Sequence, residues 1–242
     1  MTTVLVTGAS GSIGRATLAA FAARDVRLAT IDLARVPEPE SSLVDRELCA
    51  DLTDDGAVAE AAGRLGPLAH VVAIAGGGDL EELSREDLAT ESLAVFARVV
   101  EANLHTAFVT IRHTVPLLRE HRGDRSITLV SSINAGGGYG APGYSAAKAG
   151  LGGLVRSLVT PLGADGIRIN CVELGTVATE NLRRLDEGRG IAHDLAATAA
   201  RAPLRRVLEP ADAAAALVAA ALDMRGLTGA TIVLDNGQTL IR

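Results

Sequence analysis

Tryptophan is absent from this chain of 242 residues and aromatic residues amount to only 2%, so the core must be built from Val, Leu, Ile and Ala. A pocket made from such residues has few rings with which to grip a ligand. Cysteine is nearly absent as well. Cys49 and Cys171 stand apart, with no CxxC or Cys/His spacing, which leaves a disulfide framework or a zinc site without support. The five histidines, at 70, 105, 113, 121 and 193, share no ligand spacing, and no metal is expected. No run approaches about 18 uninterrupted apolar residues, and MTTVLVTGAS lacks the basic and apolar regions of a signal peptide. A soluble, cytoplasmic protein with no membrane partner is therefore expected. Net charge is −6 and the basic residues are scattered singly or in pairs, which disfavours nucleic acid as a ligand.

Lysine is the most informative scarcity. Lysine and arginine total 23, and Lys148 is the only lysine among them, so this sequence takes arginine wherever any cation will serve. A compact ammonium at Lys148 therefore looks required, because the planar guanidinium cannot replace it where a cation must approach a hydroxyl or phenolate. Tyr144 stands four residues earlier and shares a helical face with Lys148. A nearby cation favours the phenolate, so the pair can form a tyrosine acid/base tuned toward neutral pH. A bare Y-x-x-x-K is more often an ordinary surface pair, but here it draws on two tyrosines and one lysine in the whole chain.

Hydrophobic residues reach 48% and charged ones 21%, as in a globular chain, and the length suits one α/β domain spanning residues 1–242. Thr3 to Thr7 reads as a buried parallel strand, followed by Gly8-Ala9-Ser10-Gly11-Ser12-Ile13-Gly14 and a helical pattern. Alone, such a turn could be a tight left-handed connection. Between this strand and this helix it has the physics of a dinucleotide site, with pyrophosphate met by free N–H groups and the positive helix end. A second strand, Val26 to Ile31, ends at Asp32, 18 residues after Gly14, close to the separation at which a carboxylate takes the adenosine ribose. Asp32 would repel a 2′-phosphate, which favours NAD. Arg15 and Arg35 could offset that repulsion, which keeps NADP as the alternative.

Further strands are expected at Leu48 to Ala50, His70 to Ala75, Ser126 to Ser132, Ile167 to Val172 and Thr231 to Leu234, with Thr53-Asp54-Asp55 opening a helix. The pattern from Ser84 to Leu118 is helical, with Asn103 inside it, a poor mid-helix residue that can kink the helix and hold a water. The stretch from Ser131 to Lys148 leaves the fifth strand at the edge where open α/β sheets bind ligands, and its glycines at 136–138 are read as a flexible wall.

In this order and spacing the chain resembles the classical short-chain dehydrogenase/reductase family over essentially its full length. The resemblance implies a Rossmann-like doubly wound α/β fold of about seven parallel strands with helices on both faces. Asn103, Ser132, Tyr144 and Lys148 match the family's catalytic tetrad. Tyr144 would exchange a proton with the substrate oxygen, Lys148 would bind the nicotinamide ribose and lower the tyrosine pKa, Ser132 would orient the carbonyl, and Asn103 would hold a relay water. Cofactor contacts are implied at Gly8, Ser10, Ser12, Ile13, Gly14, Asp32, Asp51, Leu52, Ala75, Gly76, Tyr144, Lys148, Gly175, Val177 and Thr179. Substrate contacts are implied at Asn134, Tyr139 and Leu174, with a covering segment at about 179–207. The chain departs from the family in carrying Ser12 for a glycine, Ala73-Ile74 for two asparagines, Leu174 for a proline and Asn236 for a glycine. The loop after the strand is about one residue short, so Ser131 fits the usual separation from Tyr144 better than Ser132 does.

The activity implied is hydride transfer between a nicotinamide cofactor and a secondary alcohol or ketone. An epimerase or lyase of the same fold, or a nucleotide-binding sensor without turnover, are the alternatives. The segment at 179–207 carries six arginines against four acids, which an anionic substrate or simply a solvated lid would explain. A homotetramer or homodimer is expected from the resemblance and from small residues such as Gly150, Gly152 and Gly153.

Overall fold

The computed structural model describes residues 2–82, 88–90, 92–137, 140–189 and 194–240. Its centre is a seven-stranded, all-parallel sheet in the order β3-β2-β1-β4-β5-β6-β7. The strands are β1 Thr3–Thr7, β2 Arg27–Asp32, β3 Arg46–Cys49, β4 His70–Ala73, β5 Arg125–Ser132, β6 Ile167–Leu174 and β7 Thr231–Leu234. All seven expected strands are present. β4 stops two residues sooner than Ala75, and β6 runs two residues further than Val172. The helices are α1 Ser12–Ala22, α2 Asp55–Gly63, α3 Leu93–Val100, α4 Thr106–Glu120, α5 Asn134–Gly137, α6 Pro142–Ala164, α7 Glu180–Arg189, α8 Leu195–Arg201 and α9 Pro210–Val218.

Successive strand residues point to opposite faces, and here both faces are covered, which is why the strands are apolar without alternation. Leu5, Val71, Ile127, Leu129 and Ile169 face a layer shared with α2, α4 and α6, while Val4, Val6, Val72, Val130 and Val172 face one shared with α1 and α9. Leu18 and Phe21 of α1 and Leu217 of α9 fill the second layer. Burial of this order, at roughly 25 cal/mol per Å² of apolar surface, is what holds a core so poor in rings.

The helical pattern read from Ser84 to Leu118 is, from Leu93 on, one continuous helical run to Glu120, in which α3 and α4 are joined through a π turn. Residues 83–87 and 91 lie outside the described residues, and α3 starts at Leu93 because the Ser92 hydroxyl accepts the Val95 N–H. Between α3 and α4 the segment Glu101–His105 is a π turn with Asn103 at its middle. The run Leu93–Glu120 is long and apolar enough by composition to cross a bilayer. Its apolar residues Val95, Val99, Val109, Ile111 and Leu118 are nevertheless buried within the domain.

Two features of the sheet place the site. Strand order reverses between β1 and β4, which opens a crevice at their carboxyl ends. β4 ends where Ala73 pairs with Leu129, whereas β5 continues to Ser132, opposite Leu174. The protruding end of β5 forms a wall of that crevice.

Candidate active site

The crevice has a volume of about 1470 Å³ and runs from the β2 end to the α7–α8 segment. Its first element is the turn after β1. Gly8 has φ +68°, and a Cβ there would lie 2.6 Å from the Ala75 nitrogen, so only glycine lets the turn pass under the strand beside it. α1 starts with Gly11 as its N-cap and no side-chain cap, which leaves first-turn N–H groups available to an anion. Ser12 is accommodated by turning its hydroxyl to the covering segment, where Oγ accepts the Glu180 N–H at 3.2 Å. Arg15 pairs with the Glu180 carboxylate at 3.0 Å. The amino ends of α1 and α7 are therefore tied across the crevice, a contact the sequence did not disclose.

Asp32 stands at the end of β2 with Oδ2 accepting the Ser10 N–H at 2.8 Å and Oδ1 the Leu33 N–H at 2.7 Å. Each carboxylate oxygen keeps acceptor capacity toward the crevice. Asp51 accepts from the Thr53 N–H and hydroxyl, which hold its pKa below the usual carboxylate value. Leu52, Ala75 and Gly76 line the same wall. A Cβ at Gly76 would fall 2.4 Å from Asn103 Oδ1, so this glycine is needed for the close approach.

Asn103 is buried behind that wall and does not line the crevice. Its amide clamps the loop after β4. Nδ2 donates to the carbonyls of Gly77 and Val99 at 2.8 and 2.9 Å, and Oδ1 accepts the Gly77 N–H at 3.0 Å.

The two serines are separated by the strand's own alternation. Ser131 points inward, where its hydroxyl donates to the Lys148 carbonyl at 3.0 Å. Ser132 lines the crevice beside Tyr144, whose pKa it acts to lower. Ser132 Oγ also accepts the Asn134 N–H at 3.3 Å. Asn134 opens the short helix α5, so Gly136 and Gly137, expected to form a flexible wall, belong to a helical turn instead. Tyr139 and Gly138 lie outside the described residues.

α6 carries Tyr144 and Lys148 on one face, with the Lys148 Nζ 5.5 Å from the Tyr144 ring centroid. Lys148 is 4% exposed and donates to the Val130 carbonyl at 3.0 Å. Burial pulls its pKa down to about 8. Burial raises the Tyr144 pKa above the ordinary phenol value, the Ser132 hydrogen bond opposes that rise, and the charge of Glu82 adds to it. Glu82 was not singled out in the sequence. It is 3% exposed, with Oε1 accepting the Tyr144 N–H at 2.8 Å, and no local pattern could reveal a contact made across 62 residues.

The far wall comprises Leu174, Gly175, Val177 and Thr179. With leucine in place of proline, the path of this loop is fixed by Gln238, whose Oε1 accepts the Thr176 N–H at 3.0 Å. A Cβ at Gly175 would lie 2.5 Å from that same oxygen. Leu185, Thr198 and Arg205 of the covering segment complete the wall.

The parallel sheet thus gathers an uncapped helix end at its switch point, a strand-end aspartate, and a tyrosine and lysine across the gap around one crevice. The family model described as enoyl-(acyl carrier protein) reductase matches residues 8–239. The cis-4-hydroxycyclohexanecarboxylate dehydrogenase of Sinomonas cyclohexanicum is 30% identical, over 98% of this chain and 96% of its own. A probable galactose dehydrogenase of Rhizobium meliloti is 34% identical over 75% and 74%. A short-chain dehydrogenase/reductase from Burkholderia thailandensis superposes with a TM-score of 0.88 at 29% identity, covering 100% of this chain and 94% of its own. The chain belongs to the classical short-chain dehydrogenase/reductase family, and it is an oxidoreductase that acts on CH–OH groups of a small molecule with a nicotinamide cofactor.

Proposed function

We propose that the protein is an NAD-dependent dehydrogenase interconverting a secondary alcohol and its ketone, with Tyr144 as the acid/base. The observation that carries this reading is the placement of Ser132, Tyr144 and Lys148 at one crevice wall, with the only lysine of the chain 5.5 Å from the centre of the tyrosine ring. When bound, the nicotinamide supplies or accepts the hydride. In the oxidative direction Tyr144 Oη takes the hydroxyl proton, and Ser132 Oγ holds the same substrate oxygen by hydrogen bonding. Lys148 places its charge beside the phenol and favours the phenolate. Asn103 keeps the loop at Gly76 and Gly77 in place, so that the floor of the site does not move.

NAD is favoured over NADP by what surrounds Asp32. Arg15, one of the two arginines that could neutralise a 2′-phosphate, is paired with Glu180 at 3.0 Å. The free thiols of Cys49 and Cys171 support a cytoplasmic setting. Leu93, 85% exposed, with Phe96 and Phe108 on the same helix pair, supports a homodimer or homotetramer, which light scattering would read as mass.

The deciding experiment is a panel of secondary alcohols, including hydroxy acids and aldoses, offered with NAD and with NADP. Turnover with NAD is expected, and Tyr144→Phe should lower kcat by about 10³-fold while leaving NAD affinity intact. Retained turnover in that variant would overturn the tyrosine assignment.

A further inference from the structure

We propose that Glu82 is a positioning residue for Tyr144, capping the amino end of α6 from the neighbouring loop and setting a negative charge beside the phenol. The proposal rests on the reading of Tyr144 as the proton-transferring group.

Acidic side chains are almost never buried without a defined partner, and Glu82 is 3% exposed. One partner is the helix that carries the tyrosine. α6 has Ala141 at its N-cap, Pro142 at its first position, no side-chain cap and no acid in its first turn. Its third N–H, that of Tyr144, is an orphan that a Ser, Thr, Asn or Asp at the cap would ordinarily satisfy. Glu82 Oε1 accepts it at 2.8 Å. The helix thus obtains from a residue 62 positions away both a cap and an anion at the positive end of its dipole.

Two details of the sequence accommodate this contact. Residue 143 is glycine, and a Cβ there would fall 2.7 Å from Glu82 Oε1 and 3.2 Å from Phe96 Cδ2, so any side chain at this position would push the carboxylate off the helix. On its other side the loop is clamped to α3, where Arg98 binds Asp79 at 2.8 Å and Glu81 at 3.0 Å. The segment after β4 is therefore held at both ends, by Asn103 near Gly77 and by the α6 end at Glu82. Displacement of the loop would carry the backbone of Tyr144 with it, and the phenol with the backbone.

The charge has a second consequence. Around the Tyr144 side chain stand Ser132 from β5, Lys148 on the same helix and Glu82 from the loop, with Cys171 and Glu173 of β6 beyond Lys148. Lys148 favours the phenolate and Glu82 opposes it. Burial is the larger influence holding the phenol protonated, and the Glu82 charge adds to it.

The composition supplies a direct test. The chain has two tyrosines and no tryptophan, so in a Tyr139→Phe background Tyr144 is the only phenol, and its ionisation can be followed by phenolate absorbance without any substrate. Glu82→Gln keeps an oxygen for the Tyr144 N–H and removes the charge. Its titration midpoint should move to lower pH, with folding followed by circular dichroism at each point. Glu82→Ala removes cap and charge together and should lower kcat by about 10²-fold with NAD affinity retained, as expected for a displaced acid/base. An unmoved or raised midpoint in Glu82→Gln, or parental kcat in Glu82→Ala, would overturn the proposal. Should Glu82→Ala fail to fold, the Glu82→Gln titration decides alone. Turnover by Tyr144→Phe would instead remove the underlying reading, and the two failures are thus separable.

Discussion

The two ends of the sheet are built from similar residue types and use them differently. At the amino end, the side chains of Arg168 and His70 are committed to protein partners. Arg168 directs all of its guanidinium donors to partners, two to the Asp124 carboxylate and the rest to the carbonyls of Ala220, Ala221 and Met224, with Leu227 at 3.5 Å. His70 Nδ1 meets Ser126 Oγ at 2.8 Å, and that hydroxyl reaches the Ala221 carbonyl at 3.2 Å. At the carboxyl end, Ser132, Tyr144 and Asp32 satisfy each other or the backbone and keep capacity facing the crevice. The crevice is also larger, about 1470 Å³ against about 470 Å³ for the cavity at the amino end. Unspent hydrogen-bonding capacity, more than the presence of polar groups, separates a site from a structural network.

Substitutions at the two ends should therefore fail in opposite ways. The largest effect is expected for Lys148→Met, which should lower kcat by about 10³-fold at saturating NAD. Stability should hold or rise, because burial disfavours the ammonium and pulls its pKa down to about 8. Loss of stability in denaturant unfolding would show that Lys148 belongs to the structural class instead. Arg168→Met is the counterpart. It leaves Asp124 and several carbonyls without their donor and should cost about 3 kcal/mol in urea unfolding, with kcat per folded molecule unchanged.

The pH dependence of stability should come largely from the amino end. Burial pulls His70 down to about 4 from its ordinary 6.5, so the unfolded chain binds more protons between those values. The contribution is complete above about pH 6.5 and is lost as pH falls toward 4, amounting to about 3 kcal/mol at most. Unfolding midpoints measured across that window should slope in the parent and flatten in His70→Asn. An equal slope in both would place the acid sensitivity elsewhere.

This asymmetry also explains what could be read beforehand. Strands buried on both faces announce themselves as apolar runs, and the phosphate turn, Asp32 and the Tyr144/Lys148 pair lie in local patterns, so the fold and most of the crevice were legible. Strand ends were less so, because pairing and not composition sets them. β6 continues through Glu173 to reach Leu174 beside Ser132. Choosing between Ser131 and Ser132 draws on the strand's facing, which turns the Ser131 hydroxyl to the Lys148 carbonyl, whereas loop length points to Ser131. The polar network about Arg168 and His70, the Glu82 cap and the Gln238 brace were invisible, because each joins residues brought together only by the topology.

Ser12 offers the smallest and finest test of the comparison. It sits at the open end of the sheet, yet its hydroxyl is already spent on the Glu180 N–H, beside the Arg15–Glu180 pair. If the contact acts as a structural one, its loss costs what an exposed hydrogen bond costs, about 0.5 kcal/mol or less. If it couples the phosphate turn to the covering segment, the effect should appear in substrate binding and not in unfolding. Ser12→Gly restores the glycine usual at this place in the family and keeps the turn, so NAD affinity should change by less than about twofold. The expected result is a substrate KM raised about two- to threefold with kcat and the unfolding midpoint unchanged, because α7 then loses one of its two ties to α1. A parental KM would assign the serine to tolerance within the turn, and a shifted midpoint would move it to the structural side.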